Sequence, residues 1–490
     1  MSKLLYIEDY QELFEAVQKA QIFEDQKTMA DALPLLDITE INSRYEAVKN
    51  EHDFDLKKFV LQYFKFESIP DSRNLHQDLP ILDHIEELWD HLTRFTPVNK
   101  GTLLAVPHSY IVPGGRFVEF FYWDSYFVML GLKESGRLEM MKNIVDNCAY
   151  LISEFGFVPN ASRSYFLTRS QPPYFSLMVE LLVETLDDKS LYANYFEALL
   201  KEYDFWMDYN GEQKRTVSMP DGILLNRYFD DKNEPRPESY EMDFSAYQKS
   251  SDPNFYQNVR AACESGWDFS SRWFGVNNNF NSIVTLSILP VDLNCLLYHL
   301  ESTIGKSAEF KENETIKTKF FSLAEKRKQA IKTYFWNEEH SLYFDYNISL
   351  KSQTSSEHIG TLYPLFVGIS TSTEAEKVLH SIQSKFLHKG GLVNTTFESG
   401  EQWDFPNAWA PFQWLGYVSA TKYGDVALAT AIKENWCANV ERVYKNTGKL
   451  MEKYNAVDLS LIAGGGEYPN QDGFGWTNGV YAAFKKNINN

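Results

Sequence analysis

In "YQELFEAV" the apolar residues Tyr10, Leu13, Phe14 and Val17 fall at i, i+3, i+4 and i+7. That spacing gathers them into one stripe of an α-helix and leaves the opposite face wet. It recurs in "LYANYFEALLKEYDFWMDY", "DLNCLLYHLESTIG", "FFSLAEKRKQAIKTYFW" and "DVALATAIKENWCANVERVY". A second kind of segment, of which "YFSLMVELLVETL" is the example, is apolar nearly all round and predicts a helix buried on most sides. Two helix populations, one inner and one outer, are produced by a double ring of helices, and also by a large irregular bundle. Strand signals are few and short, as in "GILLNRYFD" and "LYFDYNI".

Between the helices lie long segments rich in Gly, Pro, Asn, Trp and Arg: "VPGGRFVEFFYWDSYF", "VPNASRSYFLTRSQPPYF", "FDDKNEPRPESYEMD", "ESGWDFSSRWF", "EQWDFPNAWAPFQW" and "AGGGEYPNQDGFGWTNGV". Loops of that length are functional or disordered, and so much aromatic content argues against disorder. No Pro- or Ser-rich linker and no low-complexity block interrupts the chain. Residues 1–490 are therefore expected to form one large domain, with residues 1–70 a helical extension packed on it.

The chain has 490 residues, 44% of them hydrophobic and 15% aromatic, enough for a large core. Asp and Glu outnumber Lys and Arg by 67 to 47, a formal net charge of -20. Such a surface repels phosphate backbones and anionic lipid, so neither nucleic acid nor a membrane is an expected partner. The apolar run before Glu8 is too short for a signal sequence, and no stretch reaches the length of a membrane span. A cytoplasmic monomer is expected. Cys148, Cys263, Cys295 and Cys437 form no CxxC or Cys/His spacing for zinc, and read as buried small hydrophobes in a reducing compartment.

Sorted by chemistry, the loops share one theme. Trp123, Trp267, Trp403, Trp409 and Trp476 supply flat apolar faces. Arg116, Arg169, Arg236, Asn160 and Gln171 supply donors, and Asp124, Glu238, Glu452 and Glu467 supply acceptors. Such a mixture suits a sugar, whose C–H faces stack while each hydroxyl needs donors and acceptors. No phosphate-binding or dinucleotide-binding glycine pattern and no GxSxG nucleophile elbow occurs, and the histidines are scattered. Within "ESGWDFSSRWF" Asp268 stands between two aromatics beside Gly266. Buried there, its carboxyl pKa rises, as a general acid requires. On these residues alone the favoured reading is instead a cap of a helix beginning at "FSSRWF", helped by Ser270 and Ser271.

The segments "PGGRFVEFFYWDSYF" and "QWDFPNAWAP" resemble the two signature motifs of the inverting trehalases of glycoside hydrolase family 37. The resemblance extends, in order, through "DQKTMADALP", "PNASRSYFLTRSQPP", "RPES", "ESGWDFSSRW", "MEKYN" and "GGGEYPNQDGFGWTNGV", and is closest to the cytoplasmic, bacterial type. It implies an all-α (α/α)6 barrel with its site at the loop-rich end, hydrolysing trehalose to two glucose molecules. Carried over motif by motif, Asp268 becomes the general acid and Glu452 the general base. Arg116, Phe117, Trp123, Asp124, Asn160, Arg169, Ser170, Gln171, Arg236, Glu238, Gly266, Trp403 and Glu467 fall on substrate-binding positions. The three arginines are expected to hold Glu452 ionised, while the Trp and Phe neighbours keep Asp268 protonated. No metal or cofactor is expected. The chain departs from the family pattern at Phe121, where Tyr is usual, at Asn455, where Asp is usual, and in a short glycine run after Ala463. Rival readings are another α-barrel glycosidase, a non-catalytic trehalose sensor and a trehalose 6-phosphate hydrolase.

Overall fold

The segment read as having no wet face, "YFSLMVELLVETL", forms part of the inner wall of a closed ring as helix Phe175–Leu186. In the computed structural model, which describes residues 3–66, 79–209, 211, 213–461, 463 and 467–486, six inner helices follow one another around an axis. They are Tyr122–Glu134, Phe175–Leu186, Val291–Phe310, Tyr363–Phe366, Ala410–Lys422 and Gly475–Lys486, and the last packs back on the first. Helices Leu138–Phe155, Phe196–Trp206, Glu314–Phe335, Ser372–Ser381 and Val426–Thr447 alternate with them along the chain and lie outside, and Ile81–Leu92 backs Gly475–Lys486. The architecture is the (α/α)6 toroid.

Burial separates the two rings, with one correction to the patterning. The segment "DLNCLLYHLESTIG", read as one-striped, lies in the inner helix Val291–Phe310 and is buried nearly all round, because its polar residues Asp292, Asn294, His299, Glu301 and Thr303 are themselves buried. Helix Tyr122–Glu134 is buried without a break from Tyr122 to Leu132, whereas Glu314–Phe335 buries one stripe, Phe320, Ala324, Arg327, Ala330, Ile331 and Phe335. The ring closes where two inner helices meet glycine to glycine. A Cβ on Gly479 would lie 2.0 Å from the Phe127 carbonyl oxygen, and one on Gly131 would lie 2.6 Å from the Gly479 Cα. No larger residue permits that approach.

Several sequence expectations are refined. Tyr10 precedes its helix in a 3₁₀ turn, Ile7–Tyr10, yet all four apolar positions of "YQELFEAV" are buried. The segment "LYANYFEALLKEYDFWMDY" breaks into Leu191–Asn194 and Phe196–Trp206. The strand signals yield only two- and three-residue strands: Leu224–Asn226 against Thr216–Ser218, and Leu342–Tyr343 followed by Tyr346–Asn347. The four cysteines are free and buried.

The helices of the first 66 residues gather a second hydrophobic cluster that includes Tyr10, Leu13, Phe14, Ile41 and Phe64. It is completed by Phe121, Ala161, Tyr165 and Phe166 from the loops at one end of the ring. That contact puts the segment around Asp25 and Lys27 against those loops.

Candidate active site

A cavity with about 710 Å³ of space between its atoms opens at the N-terminal ends of the inner helices. Trp123 and Asp124 enter it from the first turn of Tyr122–Glu134, and Gln171 from just before Phe175–Leu186. Trp403 comes from the loop ahead of strand Asn407–Trp409, and Trp476 from the first turn of Gly475–Lys486. Trp409 and Trp267 stand behind, each stacked with Trp403 at centroid distances of 3.8 and 5.9 Å. The sequence-predicted residues meet here with one exception. Ser170 is turned away, its hydroxyl donating to the Val158 carbonyl (2.7 Å) and its amide to Glu264 (2.8 Å), so it supports the wall from behind.

Asp268 lies in the loop after helix Phe255–Glu264. Gly266, at a φ of +75°, carries that loop past Trp123, where a Cβ would meet the indole at 2.9 Å. Asp268 caps no helix. The segment forms only a 3₁₀ turn, Ser271–Trp273, whose cap is Ser270, and Asp404 accepts from the Ser270 hydroxyl and the Ser271 amide at 2.6 and 2.7 Å. Burial pushes the Asp268 carboxyl up to about 7, with the charge of Glu467 adding to the rise and Arg236 opposing it.

Glu452 stands at the start of strand Lys453–Asn455, which pairs antiparallel with Asn407–Trp409. Its carboxylate accepts from the Tyr468 hydroxyl at 2.9 Å and lies 3.4 Å from the Lys453 ammonium. The arginines expected to hold Glu452 ionised are engaged elsewhere. Arg116 pairs with Asp25 at 2.7 Å, Arg169 with Glu238 at 2.7 Å and Asp230 at 3.3 Å, and Arg236 with Asp243 and Glu467 at 2.6 Å each. The cation beside Glu452 is the lysine next to it in the chain, which charge patterning does not single out. Asp124 is held well above the usual carboxylate range by burial, and then by the charges of Glu452 and Asp268. Burial works the same way on Glu238, but Arg169 and Arg236 outweigh it and lower its carboxyl.

A family model for trehalases matches residues 21–489. The chain belongs to the trehalase family. It is accordingly a glycoside hydrolase. The neutral trehalase Nth1 from Saccharomyces cerevisiae is similar over 84% of this chain and 81% of its own, at 25% identity and a TM-score of 0.65. The GH63 mannosylglycerate hydrolase from Thermus thermophilus, in complex with glucose, shares the fold at 16% identity and a TM-score of 0.55, over 82% of this chain and 99% of that one.

Of this trehalase-family enzyme's departures from the pattern, Phe121 lines the cavity, edge-on to Phe117 at 5.2 Å. Asn455 does not line it: its side-chain oxygen accepts from the Val457 and Asp458 amides at 3.0 and 2.9 Å, a turn-capping task that Asp performs equally well. The glycine run, residues 464–466, lies outside the described residues. Several residues at the site escaped the sequence reading, among them the wall residues Phe166, Ser239, Cys263 and Phe474. Tyr468 and Lys453 sit beside Glu467 and Glu452 inside motifs already quoted, and their neighbourhood was the available signal. Asp25 and Lys27 come from "DQKTMADALP", and nothing in the spacing connects them with Arg116. Among the described residues no group of three or more His, Cys, Asp or Glu side chains is arranged to hold a metal, and no helix is long and apolar enough to cross a membrane.

Proposed function

We propose that the enzyme hydrolyses α,α-trehalose to two glucose molecules in a single inverting displacement, as in the bacterial-type trehalases of glycoside hydrolase family 37. The observation that carries this reading is a pair of carboxyl groups in one cavity with different neighbours, Asp268 buried among aromatics and Glu452 beside an ammonium and a hydroxyl. Asp268, pushed up to about 7 chiefly by burial, still holds its proton in a large share of molecules at neutral pH, where an ordinary carboxyl has lost it, and gives it to the oxygen joining the two glucose units. Glu452, beside the Lys453 ammonium and the Tyr468 hydroxyl, takes a proton from the water that attacks C1 on the opposite face. Trp123, Trp403 and Trp476 offer surfaces for the C–H faces of the sugars, and the ion-paired arginines present fixed N–H groups to their hydroxyls.

A neutral sugar also fits the charge. Every Lys and Arg among the described residues that line the cavity is ion-paired: Lys27 with Asp31 and Glu119, and the three arginines as given above. The carboxylates Glu238, Glu452 and Glu467 share the same walls. A phosphate would enter a site already rich in negative charge, which disfavours trehalose 6-phosphate. Incubation of the purified enzyme with trehalose, trehalose 6-phosphate and maltose, with released glucose assayed, tests the assignment: glucose is expected from trehalose, and release from another sugar alone would reject it.

Three further outcomes follow from the geometry. Asp268 must be protonated to act as acid, so kcat/KM should fall as pH rises through about 7; a profile flat to pH 9 would assign the acid to another group. Asp25 grips Arg116 at 2.7 Å, so Asp25→Asn should let the guanidinium wander and raise KM about tenfold with kcat little changed, the pattern of lost uniform binding. Steady-state kinetics of that variant would count against the role if KM stayed put. Both proton transfers are assigned to carboxylates, so activity should survive dialysis against EDTA; a loss restored by calcium or zinc would mean that some of these carboxylates bind metal.

A further inference from the structure

Behind the cavity wall, two residues that do not line it tie the candidate acid to the candidate base. Lys453 has a fully buried side chain, and a buried ammonium needs partners. Its Nζ donates to Gln402 Oε1 at 2.8 Å, stands 3.4 Å from Glu452 Oε2, and lies 5.2 and 5.3 Å from the ring centroids of Trp409 and Tyr468. Gln402 is fixed in turn. Its side-chain nitrogen donates to the Asp268 main-chain carbonyl. Its own main-chain carbonyl accepts from Trp409 Nε1 at 3.0 Å and from Asn407 Nδ2 at 3.1 Å. One side-chain amide thus accepts from the lysine beside the base and donates to the residue that carries the acid. The two loops are also joined by the Trp403 amide, which donates to the Phe269 carbonyl at 3.0 Å.

We infer that Lys453 and Gln402 are positioning residues for the hydrolysis: the lysine supplies the counter-charge of Glu452, and the glutamine fixes the acid-bearing loop relative to the base-bearing strand. The inference rests on the roles proposed above for Asp268 and Glu452. The groups facing Glu452 are Lys453, Tyr468 and the carboxyl of Asp124, with Arg116 beyond the Tyr468 ring at 4.8 Å from its centroid. Among the described residues Lys453 is the cation that pairs with Glu452. Removing it takes away the counter-charge that favours the ionised form of Glu452, so that form becomes harder to maintain. Neither residue lines the cavity, so neither is expected to bind sugar directly.

The test compares Lys453→Met, Lys453→Ala and Gln402→Met with Glu452→Gln, all assayed on trehalose. Lys453→Met should lower kcat about 10²-fold, the lower end of what a general base contributes, with KM within about threefold of the parent. The acid-side limb of its kcat/KM profile should move to higher pH, and ethylammonium should restore part of the rate of Lys453→Ala. Gln402→Met keeps the ammonium, so kcat should fall about tenfold without moving that limb. A Lys453→Met enzyme with near-parental kcat, or with an unmoved acid-side limb and no response of Lys453→Ala to amine, would overturn the inference. If the lysine variants do not fold, an undiminished kcat in Gln402→Met overturns it instead. Glu452→Gln separates the two levels: its activity, if kept, removes the proposed base itself, whereas an inactive Glu452→Gln beside an indifferent Lys453→Met removes only the bridge.

Discussion

Asp268→Asn will lower kcat by several orders of magnitude while trehalose still binds. The amide keeps the shape of the carboxyl and its place in the loop held by Gly266, but it carries no proton that the departing oxygen can take. The same substitution should make the protein more stable in mildly alkaline solution. The native carboxyl is raised to about 7 by burial, and then by Glu467, above its value in the unfolded chain. The folded state therefore holds this proton more tightly. The stability that the group contributes is present below about pH 4 and is lost as pH rises through about 7. Above that pH the ionised Asp268 costs the fold roughly 2–4 kcal/mol, and Asn avoids the cost. Denaturant unfolding of the two proteins at pH 5 and pH 8 should show the gain growing with pH. An equally active Asp268→Asn enzyme would remove the acid from the mechanism.

The second large effect separates two glutamates that composition alone cannot tell apart. Glu452→Gln should be nearly inactive, because the amide accepts no proton from water, while its KM or its affinity for trehalose changes little. Glu467→Gln should do something different. Glu467 is bound in a two-pronged pair by Arg236, at 2.6 and 3.2 Å, and it raises Asp268. Its loss should weaken sugar binding and move the basic limb of the pH profile to lower pH, since one of the charges that keep the Asp268 proton in place disappears. Kinetics of both variants across pH 5–9 decide the matter. If Glu467→Gln were dead and Glu452→Gln active, the base would have been assigned to the wrong residue.

The fold was legible where burial leaves a periodic trace. One-sided stripes such as the one in Glu314–Phe335 mark outer helices, and the all-round apolar "YFSLMVELLVETL" marks the inner helix Phe175–Leu186. The first turns of Tyr122–Glu134 and Gly475–Lys486, by contrast, carry aromatic and polar residues of the site and, with that of Ala410–Lys422, read as loop in the sequence. The inner helix Tyr363–Phe366 is a single turn and too short to show any period. At the site, the aromatic and planar polar residues of the loops pointed to a sugar before any fold was known, because their chemistry does not depend on position. Their pairing does. Asp268 stayed ambiguous in sequence because a helix cap and a buried acid call on the same residue type; only the Ser270 and Asp404 contacts exclude the cap. The partners of the arginines were out of reach for the same reason. Asp25 and Arg116, or Arg236 and Glu467, are brought together by the closing of the ring and by the packing of the N-terminal helices on its loops.

The central claim, inverting hydrolysis of trehalose by an Asp268 acid and a Glu452 base, is tested most directly by proton NMR of the glucose released in the first minutes of reaction, before the anomers interconvert. A single displacement at one C1 yields β-glucose from the attacked ring and α-glucose from the departing one. The account predicts the two anomeric signals growing at equal rates. α-Glucose alone, the product of a retaining double displacement, or no glucose at all, would contradict it.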